Sequence, residues 1–238
     1  MTRQRKDYAQ KRDEILDAAE TLFGRTGYDR TSVQAILEHL GISKGTFYHY
    51  FDSKEAVLEG VIDRFCERVV GATLAAVERP GLTALARLQA LVLVPREWKL
   101  RDLGFVATVT EVAYQEAYAA MMQRVVLQVN AALAPHLTDV IRQGVAEGVF
   151  HVADAEAAAE LFLAFMKTLG DLFGPELIAA HGDRARLERL LARASQGTRV
   201  LEHILGAAEG TFPPIGMETL AQVDQALTDH ERRGKKGV

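Results

Sequence analysis

Apolar residues recur every three or four positions along almost the whole 238-residue chain. That spacing places them on one face of a helix, and no segment shows the regular alternation that predicts a half-buried strand. The sequence therefore predicts an all-α protein. The predicted helices cover residues 9–25, 32–40, 44–50, 53–79, 82–94, 102–109, 111–147, 154–173 and 184–208, and residues 217–229 could form a last amphipathic helix.

Glycine and proline mark the predicted ends of several helices. Pro80-Gly81 ends the helix over 53–79, and Gly174-Pro175 ends the helix over 154–173. Proline lacks a backbone donor and clashes with the preceding turn, so Pro135 is expected to kink or split the helix over 111–147. At the other end, Thr31 and Gln34 have the spacing of a capping box, which places the start of the second helix near Thr31 or Ser32.

These elements divide the chain into two predicted domains. Residues 1–54 are expected to form a three-helix domain with a helix-turn-helix, and residues 80–208 a larger helical domain. The fourth helix, over 53–79, connects the two. Residues 209–238 are expected to hold a linker with two prolines, the last helix and a disordered basic tail.

Charge is distributed unevenly along the chain. The formal net charge is −4, yet residues 1–12 carry five basic side chains against Asp7 alone. Residues 55–230 carry 15 basic and 23 acidic side chains. A basic end on an acidic body suits a protein that touches DNA at one end only.

The turn Leu40-Gly41-Ile42-Ser43 joins two short predicted helices in a helix-turn-helix pattern. Phe47 and Phe51 lie four residues apart, so they can anchor the second of these helices to a core. The remaining faces carry side chains that can reach base edges or phosphates, namely Lys44, Thr46, Tyr48 and His49. Ser53 and Lys54 begin the next helix, where backbone N–H groups and an ammonium could bind a phosphate.

An ordered set of residues extends around this turn. It comprises Ile15-Leu16-Asp17-Ala18-Ala19, Leu22-Phe23, Gly27-Tyr28-Asp29-Arg30-Thr31-Ser32, Ile36, the run Gly41 to Phe51, and Ser53-Lys54-Glu55. In these positions, over about residues 9–62, the chain resembles the TetR (tetracycline-repressor-like) family of bacterial regulators. The resemblance implies a homodimer that places one helix-turn-helix per subunit on a palindromic double-stranded DNA operator, with a ligand-binding and dimerisation domain behind it.

The resemblance also implies particular DNA contacts. Thr31, Ser32 and Gln34 would approach the DNA backbone, and Lys44, Gly45 and Thr46 would meet bases. Tyr48, Tyr50 and Lys54 would hold phosphates, although both tyrosines could serve packing only and Lys54 could be a solvated lysine. The full set of predicted DNA-binding residues is Thr31, Ser32, Gln34, Ser43, Lys44, Gly45, Thr46, Tyr48, His49, Tyr50 and Lys54.

The C-terminal part contains candidates for dimerisation and for effector binding. The strongly apolar helices 154–173 and 184–208 could form a four-helix bundle between two copies, or could serve the intrachain core alone. Aromatic and methionine side chains could line a pocket for an apolar or aromatic effector, and the carboxylates of Glu111 and Glu116 would favour a cationic one. Such residues are also common in an ordinary core. The pocket candidates are Trp98, Phe105, Glu111, Tyr114, Tyr118, Met121, Met122, Phe162, Phe165 and Met166.

The sequence offers no signature of an enzyme. Its seven histidines include no His-x-x-x-His pair, and a P-loop, a Gly-x-Ser-x-Gly elbow and a dinucleotide fingerprint are all missing. We therefore expect no metal and no cofactor. Cys66, the single cysteine, is expected to pack as a small apolar group. With no apolar run near the ~18 residues that a membrane span needs and no secretory signal, the sequence indicates a cytoplasmic protein without a membrane partner.

Two classes of function fit these features. The first is a sequence-specific DNA-binding regulator, a repressor that an effector releases from its operator; a ligand-independent regulator or an activator is a variant of it. The second is a helical protein–protein adaptor that retains a helix-turn-helix core without reading DNA. The polar set Lys44, Thr46, Tyr48 and Lys54 favours the first, because an adaptor has no need for phosphate-binding groups there.

Overall fold

The computed structural model describes residues 3–180 and 182–212, together with residues 216, 218, 221, 222, 224, 225, 228 and 232. Helices and turns account for this part of the chain, which contains no strand, so the predicted all-α fold class is confirmed. Most of the predicted last helix over 217–229 and of the basic tail lies outside the described residues, as do Pro213-Pro214. The helices are α1 (Arg3–Thr26), α2 (Val33–Leu40), α3 (Lys44–Tyr48), α4 (Lys54–Val77), α5 (Ala84–Arg101), α6 (Leu103–Ala113), α7 (Ala119–Ala146), α8 (Ala155–Ala179) and α9 (Arg184–Leu205).

Several predicted helix ends are wrong, in both directions. Helix α1 begins at Arg3 rather than near residue 9, because Arg, Gln and Lys are good helix formers even where no apolar periodicity exists. Helix α3 ends at Tyr48 rather than at residue 50. The predicted helix over 111–147 is really the end of α6, a short 3-10 helix over Glu116–Tyr118, and α7.

The end predicted at Pro80-Gly81 agrees with the structure, in which α4 ends at Val77. The predicted split at Pro135 is wrong, because α7 continues through it, and α5 likewise contains Pro95. Helix α8 runs through Gly174-Pro175 to Ala179. A proline inside a helix costs ~3 kcal/mol or more, so packing must offset it. The continuation of α8 provides such packing, since Leu177 contacts the small cluster of Ala180 and Leu187.

Two hydrophobic clusters run through the molecule. The first unites the N-terminal helices α1 to α4 with α6 and the start of α7, through buried residues that include Phe23, Phe47, Val61, Phe105 and Met121. The second unites the end of α4 with α5, the end of α7, α8 and α9, through Val77, Leu88, Ile141, Phe162 and Leu205. Helices α4 and α7 thus contribute to both clusters and hold the two halves together.

Helix α6 joins the N-terminal helices to the rest of the chain. The buried Thr108 hydroxyl donates a hydrogen bond of 2.9 Å to the Phe23 carbonyl near the end of α1. Phe105 is fully buried, and its ring centroid lies 5.3 Å from that of Phe65 on α4. A displacement of α6 must therefore displace α1 as well, because interiors packed this closely do not deform continuously.

A glycine pair on two long helices tests this packing. Replacing Gly144 of α7 with alanine would place a Cβ inside the volume of the Phe150 ring, which is buried. We expect Gly144→Ala to lower the free energy of unfolding by about 2 kcal/mol in urea titrations, because overpacking exceeds the gain in helix propensity.

Gly71 of α4 provides the matched control, since a Cβ there would meet no atom within 4 Å. Gly71→Ala should raise the free energy of unfolding by about 0.5–1 kcal/mol, the usual gain of alanine over glycine in a helix. Equal effects of the two substitutions would contradict the packing of Phe150 on α7.

Candidate nucleic-acid interface

The helix-turn-helix begins with α2, which has a defined cap at each end. The Ser32 hydroxyl accepts a hydrogen bond of 3.1 Å from the Ala35 N–H, so Ser32 is the N-cap. Gly41 ends the helix with φ at +63°, a left-handed conformation that favours glycine. The predicted capping box of Thr31 and Gln34 is wrong, because the cap lies one residue later and the Gln34 amide instead donates to Glu38 at 2.8 Å.

Helix α3 is short, and its inner face holds it in place. Ser43 is its N-cap and accepts a hydrogen bond of 3.0 Å from the Thr46 N–H. Phe47 is fully buried and Phe51 is 4% exposed, with their ring centroids 6.2 Å apart. The predicted anchoring of this helix by two phenylalanines is confirmed, and Ile42 packs against the same cluster.

The opposite face of α3 is open. Lys44, Gly45, Tyr48 and His49 are exposed. The Lys44 ammonium lies 5.8 Å from the centroid of the Tyr48 ring. A Cβ at Gly45 would meet only the Ser43 hydroxyl, at 3.8 Å, so internal packing does not require glycine there. The small residue leaves room for another molecule to approach the backbone closely.

Thr46 and Ser43 form a hydroxyl pair beside this open face. Their side-chain oxygens lie 2.9 Å apart, while the Ser43 oxygen also caps the helix. Each hydroxyl keeps further hydrogen-bonding capacity, since a hydroxyl has one donor and two acceptor sites. The pair can therefore meet a base edge or a phosphate without losing the cap.

Tyr8 of α1 belongs to this surface and was not predicted. Its ring centroid lies 4.6 Å from that of Tyr50 and 5.7 Å from that of His49. The three rings connect the N-terminal turns of α1 to the segment that follows α3. Apolar periodicity does not predict this role of Tyr8. The contact joins segments some forty residues apart, and the residues around Tyr8 are mostly polar.

The predicted DNA contact of Thr31 is wrong for its side chain. Thr31 is 2% exposed. Its hydroxyl donates to the Gly27 carbonyl at 2.8 Å and pairs with the Thr26 hydroxyl at 2.8 Å. Thr31 therefore shapes the turn between α1 and α2, whereas Ser32 and Gln34 remain on the surface.

Lys54 makes a contact that the sequence did not predict. Its ammonium donates to the Tyr28 carbonyl at 3.0 Å and lies 4.0 Å from the centroid of the Tyr28 ring. Lys54 is therefore not simply a solvated lysine, and because an ammonium has three donors, its contact with a phosphate stays a prediction. Burial and the hydrogen bond from Tyr118 raise the pKa of Tyr28 far above its usual value, so the phenol stays neutral beside the ammonium.

An ion-pair network fixes α1 against α4 behind the surface. The Arg64 guanidinium lies 2.8 Å from the carboxylates of Asp17 and Glu20, and Arg68 also pairs with Glu20. Glu20 and Arg64 are largely buried, which strengthens the pairing relative to a solvent-exposed bridge. Helices α1 and α4 thus form a fixed frame for α2 and α3.

The ten predicted effector residues are not brought together, so the expectation of one cavity that they all line is wrong. Phe105, Tyr118, Met121 and Met122 belong to the first cluster, beside the N-terminal helices. Phe162, Phe165 and Met166 belong to the second. Tyr114 is 47% exposed and donates to the Gly170 carbonyl at 3.2 Å, Glu111 is exposed, and Trp98 is half-buried on α5.

The described part of the chain contains no group of three or more His, Cys, Asp or Glu side chains that could hold a metal ion. None of the helices described here is both long and apolar enough to cross a membrane.

Residues 15–61 match the family model of bacterial regulatory proteins, tetR family. The HTH-type transcriptional repressor KstR2 of Rhodococcus jostii (strain RHA1) is 38% identical over 82 residues, which are 34% of this chain and 40% of that protein. The match thus spans less than half of that relative's length.

Solved structures share the fold over most of the chain. A transcriptional regulator from Cytophaga hutchinsonii has a TM-score of 0.58 at 15% identity, covering 95% of this chain and 97% of its own. The fatty acid degradation regulator FadR from Bacillus halodurans has a TM-score of 0.58 at 20% identity, covering 84% and 96%. The matched segment confirms the resemblance to the tetR family over residues 15–61, and the solved structures show that the chain shares its overall fold with these two regulators.

Proposed function

We propose that the protein is a homodimeric, DNA-binding transcriptional repressor, which reads a palindromic operator and is released from it by a small molecule. One observation carries the proposal. Helix α3 is anchored by the buried Phe47 and presents Lys44, Gly45 and Tyr48 to solvent. A short helix with a fixed inner face and an open polar outer face fits the major groove of DNA. Such a regulator would act in the cytoplasm.

The outer face offers both kinds of contact that DNA reading needs. Lys44 and the Ser43–Thr46 hydroxyl pair can meet base edges, where ammonium and hydroxyl groups find acceptors and donors. Tyr48, His49 and Tyr50 stand at the other end of α3 and suit phosphates, which position the helix without specifying sequence. Lys54 contacts Tyr28 through one N–H group, and the remaining donors of its ammonium suit a phosphate.

An exposed apolar stripe supports dimerisation through α8 and α9. Leu161 is 60% exposed and Leu172 is 52% exposed on α8, and Val200 is 42% exposed on α9. Small exposed residues share the α8 face with the two leucines, namely Ala157, Ala164 and Thr168. Two such helix pairs can bury these leucines against each other in a four-helix bundle.

Release from DNA would follow from the connection through α6. Because Thr108 and Phe105 tie α6 to α1, a ligand that favours another position of α6 also changes the spacing of the two α3 helices in the dimer. Half-sites on DNA lie a fixed distance apart, so DNA and such a ligand favour different states and weaken each other's binding.

Substitutions in α3 test DNA reading. We expect Lys44→Ala and Thr46→Ala each to cost about 1–3 kcal/mol of binding to an operator selected from random-sequence DNA, and little on unrelated duplexes. Fluorescence anisotropy with both DNAs, at several salt concentrations, measures the difference.

Arg142→Ala is the control, because Arg142 is exposed on α7, away from α3. Equal losses on operator and unrelated DNA would mean that Lys44 and Thr46 only position the helix. Absence of salt-dependent binding to any duplex would favour the adaptor function instead.

The Tyr8 contact gives a second test. Removing the ring in Tyr8→Ala should weaken operator binding by about 1 kcal/mol, because stacking on Tyr50 and His49 no longer holds them in place. Tyr8→Phe keeps the stacking and should bind as the wild type does. If Tyr8→Phe loses as much affinity as Tyr8→Ala, the hydroxyl itself contacts DNA and the packing argument fails.

Two leucines of similar exposure, one on α8 and one on α7, test the dimer. Leu161→Glu should convert the dimer to a monomer in light scattering at micromolar concentration, because the charge would be buried in the proposed bundle. Leu127→Glu on α7, where the leucine is 57% exposed, should leave the dimer intact. The reverse result would move the interface to α7, and a monomeric wild type would end the dimer proposal.

A further inference from the structure

We propose that the effector carries a carboxylate on an apolar body, and that Arg96 and Lys99 of α5 bind this carboxylate inside the helical domain. The proposal rests on the proposed function, because only a ligand-responsive regulator has an effector, but the site itself follows from α5 and its neighbours. It also differs from the expectation of a cationic ligand, which depended on the carboxylates of Glu111 and Glu116.

Arg96 is a half-buried cation without a counter-charge among the described residues. Its Nε atom is buried and has no hydrogen-bond partner. Among the residues that the structure describes, none forms a hydrogen bond or an ion pair with its guanidinium. Arg87, two and a half turns earlier on α5, shows the usual arrangement, because its guanidinium donates to the Val77 carbonyl and to Gln143 at 3.0 and 2.7 Å. A cation that is partly withdrawn from water and has no partner is poised for an anion.

Lys99 lies one turn further along α5, on the same face as Arg96. Its side chain is exposed, and burial lowers the pKa of its ammonium below the usual value. Protein therefore surrounds the ammonium on several sides while solvent still reaches it, as in a recess that is open to water.

The nearest interacting group on α4 cannot neutralise Lys99. Burial, with a smaller contribution from Asp63, raises the pKa of the Cys66 thiol to about 11. The thiol is therefore neutral near pH 7 and packs as the sequence predicted. No hydrogen bond or ion pair to Lys99 arises from the described part of the chain. Two cations on one turn of α5 thus share an environment without an anion.

The accessible side of α5 extends over its C-terminal half. This helix packs against α4, α6 and α7. Even so, no side chain from Gln89 to Arg101 is fully buried. Solvent therefore reaches this half of α5, which carries Arg96 and Lys99. Leu91 and Val92 of the same helix pack on the second cluster and Phe65 of α4 packs on the first, so α5 and the helix packed on it both offer apolar surface.

These neighbours define the ligand's chemistry. A guanidinium binds a carboxylate through two parallel N–H groups, and an ammonium one turn away can bind the remaining lone pairs. The carboxylate would neutralise both cations, while an aliphatic or aromatic body would replace water along Leu91, Val92 and Phe65. An amine of the same shape would be repelled, and an alcohol would leave both charges unpaired.

Trp98, the only tryptophan of the chain, lies between the two cations in sequence and reports on the site. We would titrate the full-length protein, without DNA, with decanoate, decanol and decylamine, each below its micelle concentration, and follow tryptophan fluorescence. Inorganic phosphate serves as an anion without an apolar body. We expect saturable binding of decanoate, with decanol and decylamine at least tenfold weaker and phosphate weaker still.

Arg96→Gln and Lys99→Gln should each weaken decanoate binding at least tenfold. The control Arg79→Gln removes an exposed charge after α4 and should leave it unchanged. Both α5 variants should fold, because each removes a cation that has no partner among the described residues; their unfolding temperatures without ligand should equal or exceed that of the wild type.

Three outcomes would overturn the proposal: no decanoate binding, equal binding of decanol, or unchanged affinity in both α5 variants. A final arm adds decanoate to the complex with operator DNA. Decanoate that binds through Arg96 and Lys99 but leaves the DNA bound would confirm the anion site and contradict effector-driven release, so the two proposals fail separately.

Discussion

The hydrogen bond from Thr108 to the Phe23 carbonyl lies at the joint on which the rest of the structure depends. It forms in a fully buried position, with Phe105 packed beside it. The same hydroxyl lies 3.2 Å from the Gly104 carbonyl of its own helix, so the close packing around Phe105, together with this hydrogen bond, holds α1 and α6 in one arrangement. The N-terminal helices thus pack directly against the rest of the chain and are not joined to it by a flexible linker alone.

A second contact makes this joint resistant to rotation. The Tyr118 hydroxyl donates to the Tyr28 hydroxyl at 3.3 Å, and the Lys54 ammonium holds the Tyr28 carbonyl from α4. Tyr28 therefore links the turn after α1, the start of α4 and the segment before α7. Two attachment points fix a body's orientation better than one, so the surface around α3 should follow α6 and α7 as a unit. Lys54 thus contributes to this joint as well as beginning α4.

The sequence predicted those features that depend on neighbours along the chain. Phe47 and Phe51 are anchors because four-residue spacing puts them on one side, and Ser43 is a cap because a serine before a helix accepts its free N–H groups. The sequence was less informative where packing overrides a local signal. Thr31 has the spacing of a surface cap, but its hydroxyl donates to the Gly27 carbonyl. Gly174-Pro175 predicts the end of a helix, but α8 continues through it. Periodicity identifies an apolar face without saying what covers it.

The same limit explains why the charge expected of the effector changes from positive to negative. In the sequence, the acidic and aromatic residues near 98–122 form one group, and charge counting there favours a cationic ligand. The fold leaves Glu111 exposed and Arg96 half-buried, so the charges that matter for a ligand are those partly withdrawn from water and left unpaired rather than those most numerous nearby. Helix α5, which carries Arg96, packs against α4, α6 and α7, and α6 holds α1. An anion bound by Arg96 and Lys99 of α5 would therefore act one helix away from the Thr108 joint. These two cations and the surface that we propose to face DNA are connected through α6 by direct packing, which is the physical requirement for a ligand to alter DNA binding.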